Sequence, residues 1–278
     1  MLQLVPFFAF PLLDAAPAAA TEPGFGFPRY EAPYRQDDAE AQEVDPTKSV
    51  WKAAVTLGAS SASGNTDVKS IAFTGDAVKE AAEKAGGQQR YTLGLSYNYA
   101  EAEGVQTQNR KAINGQVDHF LSARSYVLGT AGAMTDDQAN LDLRWTAGVG
   151  YGNQFVDSAK WKVSGELGIS YVDEDYEEFP GLPSSDQAFT AARIAYNWDW
   201  IANDNVNLTQ NMAAYPNVED PNDFFGTLDT RAKIVLTEKL FTQLRWLWNY
   251  NSNPPLDSTG VRLERSDHLV ELTIGWTF

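Results

Sequence analysis

His119 and His268 are the only imidazoles in the 278 residues, and cysteine is absent. General-base chemistry near neutral pH therefore has two places to start. Thiolate nucleophiles and thiolate metal centres have none. Ser266 and His268 stand two apart, so on a strand they share a face. A hydroxyl beside an imidazole is the beginning of a hydrolase site, and lipid-facing phospholipases work with such neighbours. No third group that would orient the imidazole accompanies them, and a triad is recognised by geometry rather than by spacing. His268 reads as an interface residue and Ser266 as a loop-proximal polar one, and no enzyme is expected. The chain carries no phosphate-cradling glycine loop, zinc spacing or EF-hand pattern, so neither metal nor cofactor is expected.

A second group of chemistry-bearing residues mixes both signs of charge. Arg90, Arg110, Asp118, Asp142, Arg144, Glu166, Arg193, Asp199, Asp229, Arg231, Lys233, Arg245 and Glu271 all fall on the polar side of segments whose other side is apolar. If that polar side faces a narrow interior, each charge loses hydration unless it is paired. One expectation is an ion-pair network that fills the interior. The other is a charged constriction that selects solutes. Gly58, Gly94, Gly148, Gly150, Gly152, Gly168 and Gly275 lie on the same side. They either leave open space or relieve strand curvature.

The elements that position these charges are strands. Val270, Leu272, Ile274, Trp276 and Phe278 alternate with Glu271, Thr273, Gly275 and Thr277. Successive strand side chains point to opposite faces, so one face is greasy and the other polar or small. Tyr91–Tyr99, Leu141–Tyr151, Ile194–Trp200, Leu244–Tyr250 and Trp51–Leu57 repeat the pattern. Each such signal is weak, and its recurrence is what carries weight. The pattern predicts strands over 50–62, 67–82, 88–102, 106–121, 125–135, 140–156, 161–174, 187–201, 205–216, 223–236, 239–251 and 261–278. Twelve is an even number, as single-chain bacterial outer-membrane barrels require.

Every second connection is short: Ser122–Ser125, Asp157–Lys160, Ala202–Asn205 and Thr237–Lys239. Glu83–Gly87 runs long for that side. The others, such as Tyr176–Asp186, Pro216–Asn222 and Ser252–Gly260, are longer and acidic. That asymmetry is the one expected of a membrane barrel with periplasmic turns and external loops. It places both chain ends in the periplasm. Trp51, Tyr91, Trp198, Trp200, Trp276 and Phe278 then form one aromatic girdle, and Tyr97, Tyr99, Trp145, Tyr171, Trp248 and Tyr250 the other. A soluble barrel, which strand alternation alone does not separate from a membrane one, has no reason to sort aromatics in this way.

Residues 1–20 read as a signal peptide, with an apolar Leu2–Leu13 run and an Ala18-x-Ala20 site, though without a basic start. Residues 21–49 are Pro-rich and acidic, and read as a disordered periplasmic linker. A sharper alternative has Tyr30, Tyr34 and Arg35 dock on the cell wall or in the barrel mouth. The net charge of −16 repels nucleic acid. The expected partners are outer-membrane lipid and, through the C-terminal strand, the barrel-assembly machinery. The acidic loops are solvated, or bridge cations to an anionic lipid surface.

Trp51 to Val172 resembles the salt-induced outer membrane protein (YdiY-like) family. The carrying pieces are Ser63-Gly64-Asn65-Thr66-Asp67, Val117–Arg124, Asp136-Asp137, Leu141–Arg144 and Gly148-Val149-Gly150-Tyr151-Gly152. His119 stands where that pattern expects Tyr. The resemblance implies an outer-membrane barrel, and it implies no catalytic residues. The expectation is thus an all-β, antiparallel up-and-down transmembrane barrel over residues 50–278. It acts either as a small passive solute or ion pore with a charged lumen, or as a closed structural or envelope-stress barrel.

Overall fold

The computed structural model describes residues 51–62, 67–84 and 87–278. The expected signal peptide at 1–20 and linker at 21–49 lie outside the described residues. Alternating β-branched, aromatic and polar residues build twelve strands among the described residues. They are β1 (Trp51–Ala62), β2 (Val68–Lys84), β3 (Gly87–Ala102), β4 (Val105–Phe120), β5 (Ser125–Asp136), β6 (Leu141–Asp157), β7 (Trp161–Tyr176), β8 (Gln187–Asn203), β9 (Val206–Pro216), β10 (Phe224–Val235), β11 (Leu240–Asn251) and β12 (Ser266–Thr277). Each pairs antiparallel with the next, and β12 returns to β1, so the sheet is a closed barrel. The closing ladder is short, running only from Ala54↔Thr277 to Leu57↔Ile274. The Phe278 amide extends it by donating to the Ala53 carbonyl at 3.0 Å.

Trp51 and Phe278 lie at the same end, called here the terminal end. The opposite, loop end carries the β7–β8, β9–β10 and β11–β12 loops. Three boundaries differ from the sequence expectation. The last strand begins at Ser266, not at 261, because Val261–Arg265 folds back on the preceding loop. A Leu256↔Arg262 bridge and a Leu263 amide donating to the Pro255 carbonyl at 3.0 Å hold it there. The β3–β4 connection at the loop end is a tight turn, with Glu103 (φ 52°) and Gly104 (φ 76°) both left-handed. Such a turn matches the twist of a hairpin, so this connection is not long. The β2 and β3 strands also extend to a Lys84↔Gly87 pair, so Glu83, Lys84 and Gly87, expected in the connection, belong to the strands.

The wall is inverted relative to a water-soluble domain. Leu57, Val149, Leu167, Val270, Leu272 and Phe278 point outward and are exposed. Arg90, Asp118, Gln116, Glu166, Arg193 and Glu271 point inward and are buried. Aromatics bracket the apolar exterior. At the terminal end Trp161 stacks on Trp200 (5.3 Å between centroids, 12°) and tilts against Trp198. Near the loop end Trp145 packs against Tyr171 at 5.3 Å and Phe224 stacks on Tyr250 at 5.1 Å.

Candidate functional site

The lumen holds two polar networks, one above the other. In the terminal half, Arg90 Nε donates to Asp118 Oδ2 at 2.6 Å, and Gln116 Nε2 donates to Asp118 Oδ1 at 2.7 Å. The same Gln116 amide reaches Glu166 at 3.0 Å. Glu166 also accepts from the Tyr126 hydroxyl at 2.8 Å and from Arg193 Nη1 at 2.7 Å. Five strands, β3, β4, β5, β7 and β8, are tied together this way. The Arg90 guanidinium lies 4.9 Å from the Phe120 ring centroid and 5.1 Å from that of Tyr126, so its face is covered as well.

The second network crosses the barrel at mid-height. Asp229 accepts from Arg231 Nη2 at 2.8 Å and from Arg245 Nη2 at 2.9 Å. Arg231 Nη1 reaches Asp76 at 3.2 Å, and Arg245 Nη1 reaches Glu271 at 3.2 Å. Asn98 donates to Glu271. The strands β2 and β10 are separated by β1, β12 and β11, and neighbouring strands lie about 4.8 Å apart. The Arg231–Asp76 bridge is therefore a chord through the lumen rather than a contact along the wall. Nearer the loop end Arg144 pairs with Glu174 and covers the Phe225 ring at 4.2 Å, another chord.

At two inward glycines the space left by the missing side chain is filled. A Cβ at Gly152 would lie 2.3 Å from the Tyr126 ring, and one at Gly275 would lie 2.1 Å from the Phe241 ring. In both cases a neighbouring aromatic fills the gap that the glycine makes. All twelve strands contribute at least one buried inward side chain to the terminal half or its upper boundary, including Thr56, Val78, Gln154, Thr209 and Thr277.

Of the inward charges expected from sequence, Arg90, Arg110, Asp118, Glu166, Arg193, Asp199, Arg231, Arg245 and Glu271 are buried in the lumen. Arg144 and Asp229 lie in the lumen half-buried. Asp199 accepts from the Thr209 hydroxyl at 2.7 Å. Lys233 lies 4.3 Å from the Phe241 ring centroid. Asp142 is the exception, since it is exposed. A register shift between Leu141 and Leu143 turns Leu141 into the lumen and Asp142 out. Sequence parity missed Asp76, Asp136, Glu174 and Tyr176. For Glu174 a signal was present: it continues the Glu166 face, but the inward Val172 interrupts the polar pattern.

Above the mid-height network is a cavity of about 610 Å³. Arg231, Arg245 and Asp229 line its floor, Tyr215 and Phe225 part of its wall, and Pro254, Pro255 and Leu263 of the β11–β12 loop its mouth. Pro254 and Pro255 are buried there, and Asn140 Nδ2 donates to the Leu256 carbonyl at 3.3 Å, which ties the loop to the β5–β6 connection.

On the exterior, His268 lies parallel to Trp246 (8°) and Trp248 (10°). Trp246 Nε1 donates to His268 Nδ1 at 3.3 Å, Trp248 Nε1 donates to Ser266 Oγ at 2.6 Å, and Ser266 Oγ is 3.4 Å from His268 Nε2. An indole N–H only donates, so a neutral His268 carries its proton on Nε2 and donates toward Ser266. Among the described residues no group of His, Asp or Glu is arranged to hold a metal ion.

Fold and lumen together define a closed antiparallel β-barrel with a polar interior and an apolar exterior. The chain belongs to the family described as "Protein of unknown function, DUF481", whose model matches residues 55–278. No curated protein matches it. Similar solved structures include the translocator domain of the autotransporter NalP from Neisseria meningitidis, at 11% identity, TM-score 0.41, covering 83% of this chain and 88% of that one. The NanC porin gives 8% identity and TM-score 0.43 over 82% of this chain and 98% of that one. An anion-selective porin from Comamonas acidovorans gives 8% identity and TM-score 0.37 over 83% and 99%. With identities and scores this low, the likenesses carry no functional weight.

Proposed function

We propose that this chain is an outer-membrane barrel that does not conduct, a structural or envelope-stress component rather than a pore. The membrane reading rests on the exterior: soluble monomers rarely expose apolar patches beyond a few hundred Å². Here outward positions on strand after strand are apolar and exposed, and aromatics rim both ends. The chain ends then face the periplasm and the long loops face outward. The salt-induced outer membrane protein resemblance agrees with an envelope role.

One observation carries the closed reading: all twelve strands present buried inward side chains at or below mid-height. An aqueous path would leave its walls in contact with water. Paired side chains and rings occupy that level instead, as expected of a narrow barrel that fills with its own side chains. The charges there act as structural cross-braces, not as a selectivity ring. The reading includes no catalysis, because His268 donates toward Ser266 and so is not placed to take its proton. Liposomes containing the refolded barrel are expected to resist swelling in isotonic arabinose as empty liposomes do. Swelling at a rate that scales with the amount of protein overturns the proposal in favour of the passive pore.

A further inference from the structure

Beyond that reading, we infer that the outward-facing cavity binds a small zwitterionic solute, one carrying both a carboxylate and an ammonium group, with Arg110 holding the carboxylate. The inference does not depend on whether the floor conducts.

Start from the guanidiniums that line the cavity. Arg144, Arg193, Arg231 and Arg245 each donate to a carboxylate of the wall. Arg110 is different. Its side chain is only 10% exposed, and among the described residues its one ion pair is a loose 3.8 Å approach to Asp136, with Asp267 farther off and no hydrogen bond to either. A guanidinium that has lost most of its water and made no hydrogen bond in exchange is costly. Arg110 lines the cavity, so a ligand inside it can supply the missing acceptors. Its planar fork matches a carboxylate bidentately.

The rest of the cavity decides what else the ligand carries. Its lining holds five carboxylates (Asp76, Asp136, Asp229, Glu264 and Asp267) against the five guanidiniums just named. The lining side chains alone are formally neutral, while Glu166, Glu174 and Glu271, paired to Arg193, Arg144 and Arg245 from behind the lining, make its surroundings acidic. A simple anion would add to that negative charge, in a chain of net charge −16. A zwitterion leaves the balance unchanged. Glu264 and Asp267 stand exposed at the mouth, where an ammonium group would meet them once the carboxylate is on Arg110. The volume falls within the roughly 300–1,000 Å³ of ordinary small-molecule sites, and a dipeptide fits within it.

Alanyl-alanine is the test probe, titrated calorimetrically into the refolded full-length barrel beside its N-acetylated form, its C-terminal amide and inorganic phosphate. The dipeptide is expected to bind most tightly, the N-acetyl form more weakly and the amide least. Arg110→Gln is expected to weaken dipeptide binding by about tenfold or more, the loss of a charge-assisted bidentate contact. Asp267→Asn is expected to weaken the dipeptide but not its N-acetyl form. Heat-modifiable gel mobility reports whether each variant folds. If Arg110→Gln does not fold, the ligand series on the wild type and Asp267→Asn still decides. An amide that binds as well as the dipeptide, phosphate that binds more tightly, or no binding of any probe at millimolar concentration overturns the inference.

Discussion

Asp118 shows what a single interior residue does in this barrel. It accepts from Arg90 and Gln116 and is fully buried. Removing one member of a buried pair leaves the other charged and uncompensated, which costs about 3–5 kcal/mol. Asp118→Ala is therefore expected to lower the unfolding free energy, measured by urea titration in lipid vesicles, by that order. Substituting Arg90→Leu and Asp118→Leu together should recover much of the loss, because no orphan charge remains. If the single variant is as stable as wild type, the network is not a brace. Ser266 and His268 lead to the opposite expectation. Lipid hydrolysis by the refolded barrel should be at background level and unchanged by Ser266→Ala, and a rate that falls with the substitution would restore the enzyme reading. Strand parity made the sides of Arg90, Asp118, Glu166 and Arg193 legible from the sequence. It could not say which charges meet, because Arg231 and Asp76 lie 155 residues apart in sequence and join only once the barrel closes.

At the scale of elements, the alternating pattern was enough to place nearly all the strands to within a few residues. What it missed was local geometry. A register shift at Leu141 reverses parity without altering composition, so Asp142 was read inward. The Val261–Arg265 stretch continues an extended pattern, yet it turns back over the mouth because its preceding turn is fixed by Asp257. That carboxylate accepts from the Thr259 amide and hydroxyl at 2.8 and 2.7 Å and from the Val261 amide at 2.9 Å. The Thr259 hydroxyl, followed by the Val261 amide, holds the Asp257 carboxyl below its ordinary range. A depressed carboxylate stabilises the ordered turn above the unfolded pKa, and that contribution is lost as pH falls through the lower folded value. Hydrogen-exchange protection at Thr259 and Val261 should thus be flat across neutral pH and fall only below the usual carboxylate pKa of about 3.9. Asp257→Asn should abolish that acid-dependent fall. A loss of protection near pH 6 instead would assign the loop's order to some other group.

For the whole molecule, closure is what the proposed function rests on. Twelve strands are few enough for arginine, tyrosine and glutamine side chains to reach across, as the Arg231–Asp76 and Arg144–Phe225 chords do. Two of the glycines that sequence alone left ambiguous, Gly152 and Gly275, are covered by Tyr126 and Phe241, which fill space in the terminal half rather than opening it. What remains is a vessel with a braced floor, a cavity above it and a loop at its mouth. The most direct test is planar-bilayer conductance of the purified barrel. Wild type is expected to give no discrete steps in molar potassium chloride. A variant carrying Arg90→Ala, Gln116→Ala and Tyr126→Ala, in which the floor side chains are cut away, is expected to give them. Stable steps from the wild-type protein that scale with salt concentration would contradict the closed barrel.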